Sequence, residues 1–517
     1  MKRRSVVLLT LAAALALPSY SQRPNRQPEA PPAAGAAQGA APAPAGPPPK
    51  VEEKTSTTSH SIQIAGQTVN YTATAGTLVL KKEDGTPTAS MFYVAYTRDG
   101  VGDVARRPIT FAFNGGPGSS AVWLQMGALG PKRVALAPDG TPLPPPYRMV
   151  DNEYSILDIT DLVFIDPVST GYSRAVPEST ATNFHGYTGD LQSVGEFIRQ
   201  YATRNSRWLS PKFLAGESYG TTRAAALSSY LQQTLGMNLN GVVLISSVLN
   251  FQTISFGIGN DLPYALFLPT YTATAWFHHK LPQDLQSAGL AKAVDESRRY
   301  AGGPYQTALF KGDGLSAEER AAVVKNLARL TGLSAKFIEG WNLRIPMGSF
   351  SKELLRDQRR TVGRYDSRLE GTDLEAASDQ PDYDPSYASV QGPYTAVFNQ
   401  YVHDELKFQT DLAYEVLTAR VQPWSFREFE NRYVNVAERL RSAMTQNAAL
   451  RVYVACGYYD LATPFFGAEY TVSHMLLDAG LRSHIQLGYF EAGHMLYTNL
   501  KSLGALKAEL AKFYGVP

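Results

Sequence analysis

Lys212-Phe213-Leu214-Ala215-Gly216-Glu217-Ser218-Tyr219-Gly220 joins a short apolar run to a stretch rich in Ala, Leu and Gln over residues 221–235. The first part reads as a strand and the second as a helix, which places Gly-Glu-Ser-Tyr-Gly at the junction. A Ser two residues from a Gly on either side, at such a junction, is the pattern of a nucleophile elbow. Small residues around the Ser let strand and helix pack closely, and the tight turn holds the Ser in a strained conformation. Its hydroxyl then projects at the top of a sheet, beside the positive end of the helix that follows. An ordinary Gly-rich turn has the same composition, so the pentapeptide needs support from elsewhere in the chain.

That support comes from both directions. A hydrolase built on this elbow needs an acid and then a His downstream of the Ser. Arg451-Val452-Tyr453-Val454-Ala455 reads as a buried strand and leads to Asp460, and Ile485-Gln486-Leu487-Gly488-Tyr489-Phe490 reads as another and leads to Gly493-His494. Asp460 and His494 thus follow strand ends, with room for one helix between them over about 468–479. Upstream, the strand candidate Ile109-Thr110-Phe111-Ala112-Phe113 runs into Asn114-Gly115-Gly116-Pro117-Gly118-Ser119-Ser120. A turn of this kind exposes backbone N–H groups, which an oxyanion hole must aim at developing charge. The fold these elements imply is α/β-hydrolase: a mixed, mostly parallel central sheet flanked by helices.

The Asn114–Ser120 turn, Gly216–Gly220, Asp460 and Gly493-His494-Met495, with Phe164-Ile165-Asp166-Pro167-Val168-Ser169-Thr170-Gly171-Tyr172-Ser173 between the first two, together resemble the serine carboxypeptidase family, peptidase family S10. The motifs occur in that family's order and span about 80–500. The resemblance implies Ser218 as nucleophile, His494 as general base and acid, and Asp460 as the residue that orients the imidazole. It implies the N–H groups of Gly116 and Tyr219 as the oxyanion hole. Asn114, the N–H of Gly115 and Glu217 would hold the free C-terminal carboxylate of a peptide substrate. A protonated Glu suits that task on chemical grounds, because it can donate to an anion, and burial near another anion raises a carboxyl pKa.

The chain departs from the family in four places. Where members carry a Glu before Leu-Gly-Pro, this sequence has Ala128-Leu129-Gly130-Pro131; Lys132 follows and would add positive charge if it faced the site. Leu496-Tyr497 stand where the family often has Pro two residues beyond His-Met. Gly220 replaces the usual Ala after the elbow Tyr. Cys456 is the one cysteine, whereas many eukaryotic members rely on several disulfides. The missing carboxyl at Ala128 bears on strict carboxypeptidase specificity, and none of the four touches the triad.

Outside the motifs, Met1-Lys2-Arg3-Arg4 and the apolar run 6–17 have the form of a secretory leader, with small residues before a cut after Ser21. The apolar run is short for a membrane span, so no stable insertion is expected. Residues 22–54 are dominated at first by Pro, Ala, Gly and Gln, a composition that cannot bury a core and reads as a tether. Leader and tether together suggest a bacterial exported protein, placed in the periplasm. The formal net charge is +2, with three of the positive charges in the leader, and no basic tract stands out, so nucleic acid is not an expected partner. A lone Cys456 cannot form an intramolecular disulfide, so stability must come from a large core. No metal-ligand spacing is present and no cofactor is called for. His278 and His279 read as surface residues.

Residues 55–100 alternate apolar and polar side chains and suggest an antiparallel edge to the sheet. The runs 161–166 and 241–246 read as buried strands. Between about 261 and 440 helical spacing takes over at 281–300, 316–330 and 334–341, then at 426–449, and the stretch 383–394 reads as a loop with aromatics that could line a pocket. The expected organisation is a leader (1–21), a tether (22–54), the first part of the hydrolase core (55–260), an inserted helical cap (261–440) and the rest of the core (441–517). The expected function is a serine-type carboxypeptidase acting through an acyl-enzyme on peptides with a free C-terminus. An esterase or acyltransferase on the same scaffold, or a catalytically silent binding protein, are the alternatives; the oligomeric state stays open.

Overall fold

The computed structural model describes residues 51–515; the leader and nearly all of the tether lie outside them. Glu53 and Lys54, at the end of the stretch read as tether, are already tied to the sheet. Glu53 accepts from the Val79 N–H (2.8 Å) and pairs with Arg204 (2.8 Å), and Lys54 exchanges hydrogen bonds with Thr77.

Three long N-terminal strands, β1 (Thr55–Ile64), β2 (Gln67–Lys81) and β3 (Pro87–Arg98), form an antiparallel edge. β4 (Ile109–Phe113) opens the parallel part, and a small hairpin of β5 (Lys132–Val134) and β6 (Met149–Asp151) follows it. β7 (Asp161–Ile165), the short β8 (Arg174–Ala175), β9 (Lys212–Ser218) and β10 (Gly241–Ser247) come next. A second hairpin, β11 (Arg360–Val362) and β12 (Glu370–Thr372), lies in the long insertion before β13 (Arg451–Gly457) and β14 (Ile485–Phe490). The main sheet runs β1-β2-β3-β7-β4-β9-β10-β13-β14, parallel from β7 onward, with β8 paired to β3. This is the mixed, mostly parallel sheet that the motifs implied.

Burial follows strand type. β1 alternates between exposed and covered residues along its whole length. β4, β7 and β10 are buried along their whole length, because helices cover both faces of a parallel sheet. Successive residues feed opposite layers: Val243, Ile245, Tyr453 and Ala455 join one apolar cluster, and Val242, Leu244, Val452 and Val454 join the other. The connection after β4 leads to β7 on one side, and the chain then returns to place β9 on the other. The carboxyl ends of β4 and β9 therefore border the crevice where such sheets bind ligands.

The insertion between β10 and β13 has its own core, in which Tyr271, Leu327 and Phe350 are fully or nearly fully buried; Leu461, just after Asp460, belongs to it. Three expectations change here. The stretch 281–300 is two helices, Gln283–Ala288 and Leu290–Tyr300, broken at Gly289 with φ +87°. The stretch 383–394 is mostly helix, Pro385–Asp404. Pro385 sits at the first helical position, where its missing N–H costs nothing, and the Asp384 carboxylate accepts from the Ser386 N–H. Pro385 marks the helix start, and Pro393 lies inside the helix. The stretch 426–449 is helical only as a short turn at Arg427–Phe429 and over Ala437–Gln446. The chain before the longer helix is drawn out to bond the core, with Phe251 N–H on Val434 O and Val436 N–H on Leu249 O, both 2.8 Å.

At the opposite end of the sheet from the crevice, Asp161 takes Arg107 Nε at 2.7 Å and Arg207 Nη1 at 2.5 Å, all three side chains buried. Arg207 also donates to Arg107 O at 2.8 Å, so one carboxylate ties the starts of β4, β7 and β9. Asp161→Ala would leave two buried guanidinium groups without a counter-ion and should cost about 3–5 kcal/mol. A fall in the denaturation midpoint with Ser218 reactivity retained is the expected result; an unmoved midpoint would deny the Arg107–Asp161–Arg207 cluster its structural role.

Candidate active site

Four strand ends deliver the site. β9 ends at Ser218, which has φ 59° and ψ −128° and stands immediately before the helix Tyr219–Leu235. That conformation is costly for a residue with a Cβ and persists only where the surroundings enforce it. Here they do. A methyl group on Gly220 would lie 2.7 Å from Phe113 O, so the Ala usual after the elbow Tyr would not fit this packing. Thr221 Oγ1 donates to Ser218 O at 2.6 Å and accepts from the Val248 N–H at 3.0 Å, which pins the elbow to the end of β10. Ser218 itself remains partly exposed.

Asp460 follows β13 and is completely buried. Its Oδ1 accepts from the N–H groups of Ala462 (2.8 Å) and Thr463 (2.9 Å), and its Oδ2 from Thr463 Oγ1 (2.7 Å) and His494 Nδ1 (2.8 Å). Nδ1 therefore carries the proton, and Nε2 is left toward the cleft that Ser218 also lines. Burial pulls the His494 pKa down, but the charge and hydrogen bond of Asp460 outweigh it and raise the value above the ordinary one. The Ser218 hydroxyl and Nε2 are not hydrogen-bonded to each other, a common state of such pairs before substrate tightens them.

β4 is followed by Asn114, whose Oδ1 accepts from the Leu124 N–H at 3.0 Å, leaving Nδ2 buried and without a partner. Its carbonyl accepts from Arg223 at 2.6 Å, and Arg223 is held by the buried Asp190 at 2.8 Å. The Gly-rich turn presses on the elbow: a methyl group on Gly115 would lie 2.4 Å from Tyr219 N. Gly115 and Gly116 line the cleft, and the Tyr219 N–H opens a helix, where no intrahelical carbonyl can reach it. Glu217 lines the same cleft, 3 % exposed, with Oε2 unpartnered. Burial pushes its carboxyl up to about 7, against the pull of His494, Tyr497 and Asn114. The residues assigned to the triad, the oxyanion hole and the carboxylate site thus come together at one place.

Two others do not. Lys132 lies away from the cleft and pairs with Asp151 at 2.7 Å. Ala128 is buried in the helical turn Leu124–Leu129 among apolar neighbours and does not line the cleft.

Sequence reasoning missed the residues that hold the site together. Tyr365, from the insertion, stacks on the His494 ring with centroids 5.0 Å apart and accepts the His494 N–H on its carbonyl at 2.5 Å. Its neighbours bond the acid loop, Leu461 N–H to Arg364 O and Ser367 N–H to Tyr459 O, each 3.0 Å. A second part of the insertion straps the Gly-rich turn, with Ser120 N–H on Val416 O (3.0 Å) and Thr418 N–H on Gly118 O (3.0 Å). Asp166 accepts from the Ala121 N–H (2.8 Å) and from the Tyr414 hydroxyl (3.2 Å), and burial pushes its own carboxyl up to about 7. Thr463, three residues past the acid, carried a weak signal, since a hydroxyl there can reach back to Asp460; Tyr365 carried none. Trp123, Tyr387, Leu417 and Met495 complete the walls and make them largely apolar.

A family model named serine carboxypeptidase matches residues 65–486. The pheromone-processing carboxypeptidase KEX1 of Yarrowia lipolytica is 27% identical over 179 residues, which is 34% of this chain but only 26% of that protein. Among solved structures, the prohormone-processing carboxypeptidase KEX1(delta)p of Saccharomyces cerevisiae aligns with a TM-score of 0.55 at 16% identity, over 86% of this chain and 91% of that one. That likeness shows the α/β-hydrolase fold. Ser218→Ala should abolish labelling by a fluorophosphonate while the protein stays folded. Ser218→Gly should do the same and raise stability by about 1 kcal/mol, because Gly relieves the positive φ. Labelling of either variant at the wild-type rate would remove Ser218 from the nucleophile's place.

Proposed function

Because the chain belongs to the serine carboxypeptidase family, we propose that it removes C-terminal residues from peptides through an acyl-enzyme formed on Ser218. His494 Nε2 takes the Ser218 proton as Oγ attacks the scissile carbonyl carbon. The carbonyl oxygen becomes an oxyanion between the N–H groups of Gly116 and Tyr219. As the C–N bond breaks, His494 returns the proton to the leaving amine, which departs as the free C-terminal amino acid. Water then attacks the ester, giving its proton to His494; as the C–Oγ bond breaks, His494 returns that proton to Ser218 and the shortened peptide leaves as its acid. Asp460 keeps the imidazole in the one useful tautomer and stabilises its charged form.

The observation that carries an exopeptidase reading is the buried carboxyl of Glu217, next to the nucleophile and beside the unpartnered amide of Asn114. A neutral carboxyl and an amide are both donors, and a peptide's terminal carboxylate supplies the acceptors. The charge of each of Glu217 and His494 also favours the charged form of the other. A bound carboxylate favours the proton on Glu217, the form that can donate to it. The apolar walls suit apolar side chains flanking the scissile bond. The leader-like start, Met1 to Ser21, supports an exported location, and none of the helices among the described residues is long and apolar enough to cross a membrane. Cell fractionation tests that placement; enzyme found only in the cytoplasm would rule it out.

The pH dependence has a definite sign. Glu217 is protonated below about 7 and loses its proton as pH rises through that value, so kcat/KM for a blocked dipeptide with a free C-terminus should fall above about pH 7. The matching dipeptide amide needs no proton on Glu217 and should lack that fall. Both should lose rate as pH drops and His494 charges. Glu217→Gln should remove the alkaline fall for the acid substrate. Identical alkaline behaviour of acid and amide in the wild type would exclude Glu217 from carboxylate binding, and turnover of simple esters alone would favour an esterase.

Asp460→Asn should lower kcat by up to about 10⁴ with the fold intact, since the amide no longer supports the charged imidazole. Near-wild-type turnover would assign the orienting role to another group.

A further inference from the structure

Tyr497 takes part in none of these steps and does not line the cleft, yet it is buried beside Glu217. It sits in the short turn Leu496–Thr498, two residues after Met495, and is 2 % exposed. Its ring enters beside the turn that carries Ala128: a methyl group on Gly127 would lie 2.5 Å from Tyr497 Cε2 and 2.7 Å from Cδ2. The ring therefore fills space next to the position where the family has a second Glu and this chain has Ala128.

Three buried polar atoms at this place lack a well-formed hydrogen bond: the Tyr497 hydroxyl, Asn114 Nδ2 and Glu217 Oε2. They act on one another, since Tyr497 and Asn114 are the side-chain donors felt by the Glu217 carboxyl, and Asn114 is felt by Tyr497. Unpaired polar atoms at such depth are expensive unless a ligand completes them. An incoming carboxylate would accept from Asn114 Nδ2 and from protonated Glu217, whose other oxygen would then be the acceptor for Tyr497.

We propose that Tyr497 is a positioning residue of the carboxylate site: its hydroxyl donates to Glu217 and holds that carboxyl toward the substrate's C-terminus, in place of a second carboxyl. This rests on the reading of Glu217 given above. A phenol cannot share a proton with Glu217 as a second carboxyl would, so Glu217 faces substrate with one exchangeable proton of its own. The other groups that act on it are Asp460 and His494 from the triad loops, Tyr365 from the insertion and Tyr394 from the Pro385–Asp404 helix. His494 is the one base among them. A hydroxyl that donates to Glu217 favours its charged form, so losing the hydroxyl should move its titration upward.

Tyr497→Phe keeps the ring against Gly127 and removes only the donor. Profiles of kcat/KM against pH for a blocked dipeptide and its amide read the result, with fluorophosphonate labelling to confirm a folded site. The acid substrate should lose roughly tenfold more than the amide, mainly through KM, and its alkaline fall should move to higher pH. Gly127→Ala, which displaces the ring, should reproduce the acid-specific loss and serves if the first variant does not fold. An unchanged acid profile, or equal losses for acid and amide, would overturn the role of Tyr497. A wild-type enzyme indifferent to acid or amide would instead overturn the carboxylate reading of Glu217, and the two failures are distinct.

Discussion

Two carboxyl groups, Asp460 and Glu217, are buried in one site that holds a single base, His494, and the arrangement of donors around them decides what each can do. Asp460 is supplied with four hydrogen bonds, two from backbone N–H groups of its own loop. Glu217 has an oxygen with none. Donors favour the charged form of a carboxyl and burial disfavours it, so the same functional group takes two roles in one site. Asp460 can support an imidazolium, whereas Glu217 stays neutral until about pH 7 and can itself donate.

Holding that asymmetry requires the loops to stay in register, and the insertion does this rather than the sheet alone. Tyr365 lies on the face of His494 while its carbonyl holds the His494 N–H, and Arg364 and Ser367 bond the acid loop on either side. Residues 416–418 bond the Gly-rich turn that would stabilise the oxyanion. Leu461 belongs to the insertion's own apolar core. A shift of the insertion would therefore disturb the acid, the base and the oxyanion turn together, although it contributes none of the triad.

Legibility in the sequence followed the range of the interactions. The β4, β9 and β13 strands were readable because strands buried on both faces are largely apolar runs, and the elbow because Gly216 and Gly220 flank a Ser whose backbone must be strained. The helix over Pro385–Asp404 was misread because its prolines serve at its start and within it rather than ending it. The stretch before Ala437 has helical spacing but is pulled straight by hydrogen bonds to residues 249 and 251, nearly two hundred positions away in the chain.

From local chemistry alone, the chain declared a hydrolase elbow, an acid and a His on later strand ends, a Gly-rich turn, and a Glu beside the nucleophile. These are readable because each needs particular residue types at fixed places along one strand or turn. What only the tertiary structure decided is which side chains from distant segments close on that set. Lys132 turned out to serve Asp151, Ala128 sits away from the cleft, Tyr365 lines it, and Tyr497 lies buried against Glu217 without lining it. No local pattern marks such residues, because their roles depend on where long connections bring them; a phenol in a turn acquires its meaning only when folding sets it against a buried carboxyl.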